Sequence, residues 1–382
     1  MEIDRRRFAT RAGAVVATAW VAPEVLTLQT PAAAASATTT TTSPPLVPVL
    51  LGTMPQAAAQ PTDWGKRIQE LIVFDGVVFA GYGDWDANTG PIAAAGWDIG
   101  AASWVSEASL DNECTWLYRR VGNRLVVPFI DPKYNTADLA VRSLGSSTWT
   151  PLAIGAGTAG TIHAFDVATL DGTDLWVAGA KRGNDDAAIW RSASGLGGDW
   201  VQVHTYTPAV GYFARYVQLV AAYGKLYTSG YYADGVNPSV SLAGEVWDGS
   251  SWGAAPEFTL VGGTQRRGHR PMVFGSQVVR SKGWPLSLNP SPPPTYLLPA
   301  LPLLWFDGTT LTEGPEQSFH HNLDASGNLW WIDETRAVRR RAPGGPTQFV
   351  VQAPADASAV AVDGTDLYIG TTGSQLYVVS GV

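Results

Sequence analysis

Three polar residues stand at matching distances ahead of apolar runs. Asp166 lies nine positions before Leu175, His269 nine before Val278, and His320 nine before Leu329. If those segments are copies of one unit, the three side chains face a common point. A His/His/Asp set can hold a divalent metal or act as general acid and base. Separate polar residues around a water-filled channel give the same pattern and are the plainer reading. Glu113, His163, Arg215, Arg270 and His321 fall at comparable places, so four of the five histidines share one location. Asp84-Trp85-Asp86-Ala87-Asn88 imitates the first half of a calcium loop. Gly90 comes one place late for such a loop and its twelfth position is Ala95, so an Asx-stabilised turn explains it equally well. Calcium is the one cofactor left open. Tyr82, Trp85, Tyr231, Tyr232 and Trp284 accompany these groups. Rings beside carboxylates and amides suit stacking on sugars with hydroxyl recognition.

The elements that must position these residues recur. An apolar strand, a tight turn with Gly and a second apolar strand repeat around Gly76, Gly122, Gly172, Gly224, Gly275, Gly327 and Gly364, at separations of 46, 50, 52, 51, 52 and 37 residues. A period near 50 with β signals in every unit predicts an all-β fold, a β-propeller. Seven blades of four antiparallel strands are expected, with six as the alternative if the short last unit merges with its neighbour. In the third unit the strands are expected at His163–Thr169, Leu175–Gly179, Ala187–Arg191 and Trp200–Thr205. Trp104, Trp149, Trp200 and Trp252 end successive third-to-fourth-strand turns and are expected to pack between blades. The last unit lacks a fourth strand, whereas Leu46–Leu51 is a spare one. Pairing it with Leu376–Ser380 would close the ring and remove two open edges.

The first-to-second-strand turns are short, whereas the second-to-third-strand loops are long and polar: Tyr82–Pro91, Asp131–Ala137, Lys181–Asp186, Tyr231–Ala243 and Ser281–Pro302. Variable loops on a rigid scaffold carry function. The site is therefore expected on that face, at Tyr82, Asp84, Trp85, Asp86, Asn88, Glu113, His163, Asp166, Arg215, His269, Arg270 and His320. The proline-rich Ser281–Pro302 insertion favours a stiff extended excursion over regular strand.

The Gly-ended second strand and the Trp near the fourth resemble kelch and related propeller repeats, although Gly81, Gly179, Gly230 and Gly370 stand singly where kelch has a double glycine. Trp190–Trp200 (WRSASGLGGDW) resembles a degraded sialidase-type Asp box, a structural element at the rim in its families. Neither resemblance assigns a reaction.

Arg5-Arg6-Arg7-Phe8 resembles the core of a twin-arginine export signal. A weakly apolar stretch and the small residues Ala35-Ser36-Ala37 follow, so residues 1–37 read as a cleaved signal peptide and 38–45 as a Thr/Ser/Pro tether. Pro23 and Glu24 interrupt the apolar run short of a membrane span. Residues 46–382 are then one exported propeller domain, extracellular, at the cell surface or periplasmic, expected to be a monomer. The net charge of −8 argues against a nucleic-acid partner. Cys114 is the single cysteine, so no internal disulfide forms, and beside Trp116 it suits burial better than a nucleophile's role. Two functions from different classes fit. The first is a binding propeller for an extracellular glycan, wall polymer or protein. The second is a carbohydrate-active or other hydrolytic enzyme using carboxylates and histidines at the channel mouth, which needs two titratable groups at catalytic spacing, about 5–10 Å for a glycosidase pair.

Overall fold

Hairpin chemistry dictates the architecture. All seven turn glycines have positive φ, from 56° at Gly364 to 84° at Gly172. At Asp75-Gly76 both residues are left-handed, with φ of 54° and 74°. That geometry matches the right-handed twist of the strands it joins. A Cβ added at Gly76 would meet nothing within 4 Å, so conformation, not crowding, is what calls for glycine there.

The structure is a computed structural model and describes residues 45–155, 160–183, 185–234, 240–260, 270–282 and 300–382. Pro45–Val382 is one compact unit. It contains seven antiparallel sheets, the blades of a β-propeller. Blade 1 comprises Glu70–Phe74, Val77–Gly81, Ile92–Asp98 and Ser103–Leu110, and blade 2 Arg119–Val121, Arg124–Pro128, Leu139–Ser143 and Trp149–Leu152. Blade 3 comprises Thr161–Ala168, Leu175–Lys181, Ala187–Ser192 and Val201–Tyr206, within two residues of the expected bounds. Blade 4 comprises Phe213–Ala222, Lys225–Ala233, Glu245–Trp247 and Trp252–Ala254, with Val240–Ser241 added against its second strand. Blade 5 comprises Met272–Phe274, Gln277–Ser281, Leu301–Phe306 and Leu311–Ser318, and blade 6 His320–Leu323, Leu329–Ile332, Ala337–Arg341 and Thr347–Gln352. Blade 7 takes Ala357–Asp363, Asp366–Thr371 and Gln375–Ser380 from the C-terminus and Val49–Thr53 from the N-terminal side.

That last pairing is the expected closure, in the register Val49↔Val378, Leu50↔Tyr377, Gly52↔Leu376 and Thr53↔Gln375. The strand starts after Pro48 and not at Leu46, since proline has no N–H for the ladder. Leu46 still packs between blades 6 and 7.

Apolar side chains fill every seam between neighbouring blades. Met54, Leu71 and Val78 meet Ala359, Tyr368 and Leu376 across blades 1 and 7. Val126, Leu139 and Val141 meet Val167, Val177 and Trp190 across blades 2 and 3. The turn tryptophans belong to these seams. Trp149 of blade 2 lies 5.6 Å from Phe79 of blade 1, edge to face, and donates Nε1–H to Glu107 at 2.8 Å. Trp252 of blade 4 stacks 4.5 Å from His204 of blade 3. Such ring pairs add about 0.5–1.5 kcal/mol beyond the area they bury.

Candidate functional site

The innermost strands surround a central channel, and charged side chains at their starts meet inside it in two networks. In the first, Arg119 of blade 2 makes a two-pronged ion pair with Asp166 of blade 3, Nε–Oδ1 2.8 Å and Nη2–Oδ2 2.9 Å. Asp166 also accepts from the N–H of Val167 (2.9 Å) and from that of Leu219 in blade 4 (3.0 Å). In the second, Arg270, at the entrance to blade 5, pairs with Glu70 of blade 1. Its Nη1 lies 2.7 Å from His320 Nε2, and its own carbonyl accepts from His321 Nε2 at 2.9 Å. The N–H of Val360 in blade 7 donates to His320 Nδ1 at 3.2 Å. Glu70 is 0% exposed, and Oε1 has no hydrogen-bond partner. Burial, helped by the Arg270 charge, holds both histidines neutral: His320 titrates well below its ordinary 6.5, and His321 at about 3. Burial also lowers Arg270, to about 9. Arg270 has φ 37°, a left-handed conformation that a non-glycine residue holds only when its surroundings over-determine it.

Asp166, Arg270 and His320 are therefore buried at the innermost strands, held in ion-pair networks that join blades. His269, the third member of the His/His/Asp set, lies outside the described residues. Among the described residues no three His, Cys, Asp or Glu side chains are grouped to hold a metal ion.

The loop-rich face carries a second group of residues. Glu113 sits in the blade 1–2 connection, 2% exposed, with Oε2 lacking a hydrogen-bond partner. Burial first, then the charges of Asp131, Asp111 and Asp84, push its carboxyl up to about 7, against the pull of Lys133. Asp131 is likewise raised by burial, and the nearby Arg215 opposes that. His163 donates from Nδ1 to the carbonyl of Ile130 at 2.6 Å, and the same nitrogen lies 3.7 Å from Asp131 Oδ1. The Arg215 guanidinium lies 4.9 Å from the Phe213 ring centre and 5.7 Å from that of Phe165. Trp85 meets Trp116 edge to face at 6.2 Å, and Asp86 is exposed beside them.

Of the expected site, Trp85, Asp86, Glu113, His163 and Arg215 come together here. Tyr82 and Asp84 have structural roles. Tyr82 is 1% exposed, accepts from the Ala93 N–H at 2.8 Å, and burial pushes its phenol up to about 12. The Asp84 carboxylate accepts from the Thr62 hydroxyl (2.7 Å) and from the N–H groups of Asp86 (3.1 Å) and Ala87 (3.3 Å), which makes the Asp84–Asn88 loop an Asx turn. Asn88 is exposed with φ 52°, and its carbonyl, with that of Gly90, accepts from Lys133. Tyr231 is also buried. The Ser281–Pro302 insertion and Trp284 lie outside the described residues, except that Lys282 N–H donates to Pro302 O at 2.9 Å where the loop leaves the sheet.

Sequence reasoning missed Glu70, Arg119, Trp116 and Asp131. A better ruler was available. Counting back six residues from each turn glycine gives Glu70, Trp116, Asp166, Gln218, His269, His321 and Ser358. Glu70, Asp166, Gln218 and His321 in that series are all buried polar residues.

No protein-family model matches the chain, and no curated protein does. Solved structures match it by shape. One chain of a mitotic checkpoint complex crystal structure superimposes with a TM-score of 0.52 at 12% identity, over 94% of this chain and 99% of that one. The WD40 domain of Neurospora crassa Pan2 gives 0.51 at 10% identity, over 88% and 98%. What is shared is the propeller fold. Among the described residues no helix is long and apolar enough to cross a membrane.

Proposed function

We propose that this protein is an exported binding propeller that recognises a hydroxyl-rich polymer, a glycan or cell-wall polymer, through its loop-rich face. The observation that carries the reading is the single cluster of Trp85, Trp116 and Phe213 with Glu113, Asp131, His163 and Arg215. Rings offer stacking area, while carboxylates, imidazole and guanidinium supply the directional hydrogen bonds that sugars require. The propeller fold suits a binding or interaction role, and Arg5-Arg6-Arg7-Phe8 supports export. The hydrolytic reading rests on one feature, a Glu113 carboxyl held near neutrality beside a second carboxylate, Asp131.

Co-sedimentation of the full chain with insoluble cell-wall polysaccharide tests the proposal. Trp85→Ala should weaken retention by about 1–3 kcal/mol, roughly 5- to 150-fold, through lost stacking area. Equal retention of Trp85→Ala and Arg215→Ala would place any binding elsewhere. Release of soluble fragments that stops in Glu113→Gln while retention persists would favour hydrolysis.

A further inference from the structure

The opposite end of the channel holds a cavity that the loop-rich face does not use. It has a volume of about 590 Å³ and is lined by the innermost strands of all seven blades. Its mouth lies among the first-to-second-strand turns, at Asp75-Gly76, Asp324-Ala325 and Asp363. The half-buried Ile72, Val73, Leu323 and Val362 supply its aliphatic lining, beside the polar Thr169 and Asn322, whereas Val167 and Leu219 border it but are buried in the blade seams. Arg119 and Arg270 reach the cavity, whereas their partners Asp166 and Glu70 stand behind them and do not line it. The Nε of Arg270 is buried without a hydrogen-bond partner, and Arg119 keeps 12% of its side chain exposed. The deep end therefore sets two guanidinium groups against the cavity, each already paired with a carboxylate behind it. At the mouth the sign reverses, with three aspartates against the single cation Arg120. Asp75 is tied to Arg142 and Asp324 to its own turn, which leaves the exposed Asp363 to meet a ligand.

We propose that this cavity binds a short linear zwitterion, a peptide of two to four residues, entering carboxylate first. The carboxylate would accept from Arg119 and Arg270, the side chains would lie against the aliphatic wall, and the ammonium would stay near Asp363 and Asp324. The lengths agree. From Ile72 to Asp75 the strand advances about 10 Å, and an extended tripeptide spans about as much. The volume falls in the ordinary range for ligand sites, about 300–1,000 Å³. This site is independent of the loop-rich face and stands or falls separately from the polymer reading.

Titration calorimetry of the full chain with Ala-Leu-Ala, its C-terminal amide and its N-acetyl form tests the proposal on the unaltered protein. The free peptide should bind, the amide at least about 10-fold more weakly, and the acetylated form weakened less. The rim variant Val273→Trp, at a cavity-lining position already 44% exposed, should abolish binding without unfolding the chain. No heat with the free peptide, equal affinity for acid and amide, or unchanged binding by folded Val273→Trp would each overturn the proposal.

Discussion

The two ion pairs in the channel use the same chemistry and differ in how completely they are solvated by the protein. Asp166 spends both oxygens on four donors: two from Arg119, plus the N–H groups of Val167 and Leu219. Among the described residues, Glu70 faces Arg270 alone at close range, with His320 at 3.7 Å. The first pair stitches blades 2, 3 and 4; the second stitches blades 5, 1, 6 and 7. Asn322 helps on that second side, donating to the carbonyls of Leu71 (2.9 Å) and Val360 (3.2 Å). A buried charge is tolerated when hydrogen bonds replace its hydration. By that measure the Asp166 half of the ring is finished, while the Glu70 half depends on a single partner. A half that depends on one contact is the half most sensitive to losing it.

The largest effect is expected from removing that contact. Arg270→Met leaves the Glu70 carboxylate at 0% exposure with, among the described residues, only the imidazole of His320 nearby, at 3.7 Å. Loss of about 3–5 kcal/mol of unfolding free energy should follow, the usual consequence of orphaning a buried charge. Adding Glu70→Gln should restore most of that loss. Urea denaturation of the single and double variants measures both, and a double variant no more stable than Arg270→Met would show that the charge of Glu70 is not the problem.

Asp166→Ala should cost less, about 2–3 kcal/mol, although it removes more hydrogen bonds. The orphaned Arg119 borders the cavity and retains 12% exposure, so water can reach it. The same denaturation series gives the ranking. If Asp166→Ala proves the more destabilising, the number of lost hydrogen bonds governs these sites and access to water does not.

Much of this ring could be read from the chain. The turn glycines recur because a left-handed hairpin residue recurs, so blade count and closing strand followed from local chemistry. The channel networks were half legible. Asp166 and His320 were found by their spacing, but Glu70 was passed over because its strand, Glu70–Phe74, reads as an ordinary apolar run with a charged first residue. Pairing across the ring joins residues 200 positions apart, Glu70 with Arg270, and no local pattern encodes such a contact. The same limit applied on the loop-rich face. Tyr82 and Trp85 look alike in a loop sequence, yet the cross-strand neighbour Ala93 and the blade 7 seam bury Tyr82, while Trp85 stays half exposed beside Trp116. Which ring faces solvent depends on the neighbouring blade, not on the loop.

The smallest effect should come from a carboxyl outside both networks, and it separates burial with a partner from burial without one. Glu113 titrates at about 7 in the folded chain, against an ordinary value of 4.5. Between those values the folded state holds more protons than the unfolded state, so its contribution to stability is full below 4.5 and is lost as pH rises through 7. His320 and His321 act with the opposite sign: both stay neutral when folded, so stability falls as pH drops below their ordinary 6.5. The histidines are common to wild type and Glu113→Gln and cancel in the difference between them. Thermal unfolding of the two proteins should therefore diverge with pH, matching at pH about 5 and favouring Glu113→Gln by ~2 °C at pH about 8. A constant difference across that range would mean that the folded Glu113 titrates at its ordinary value, with Lys133 compensating its burial.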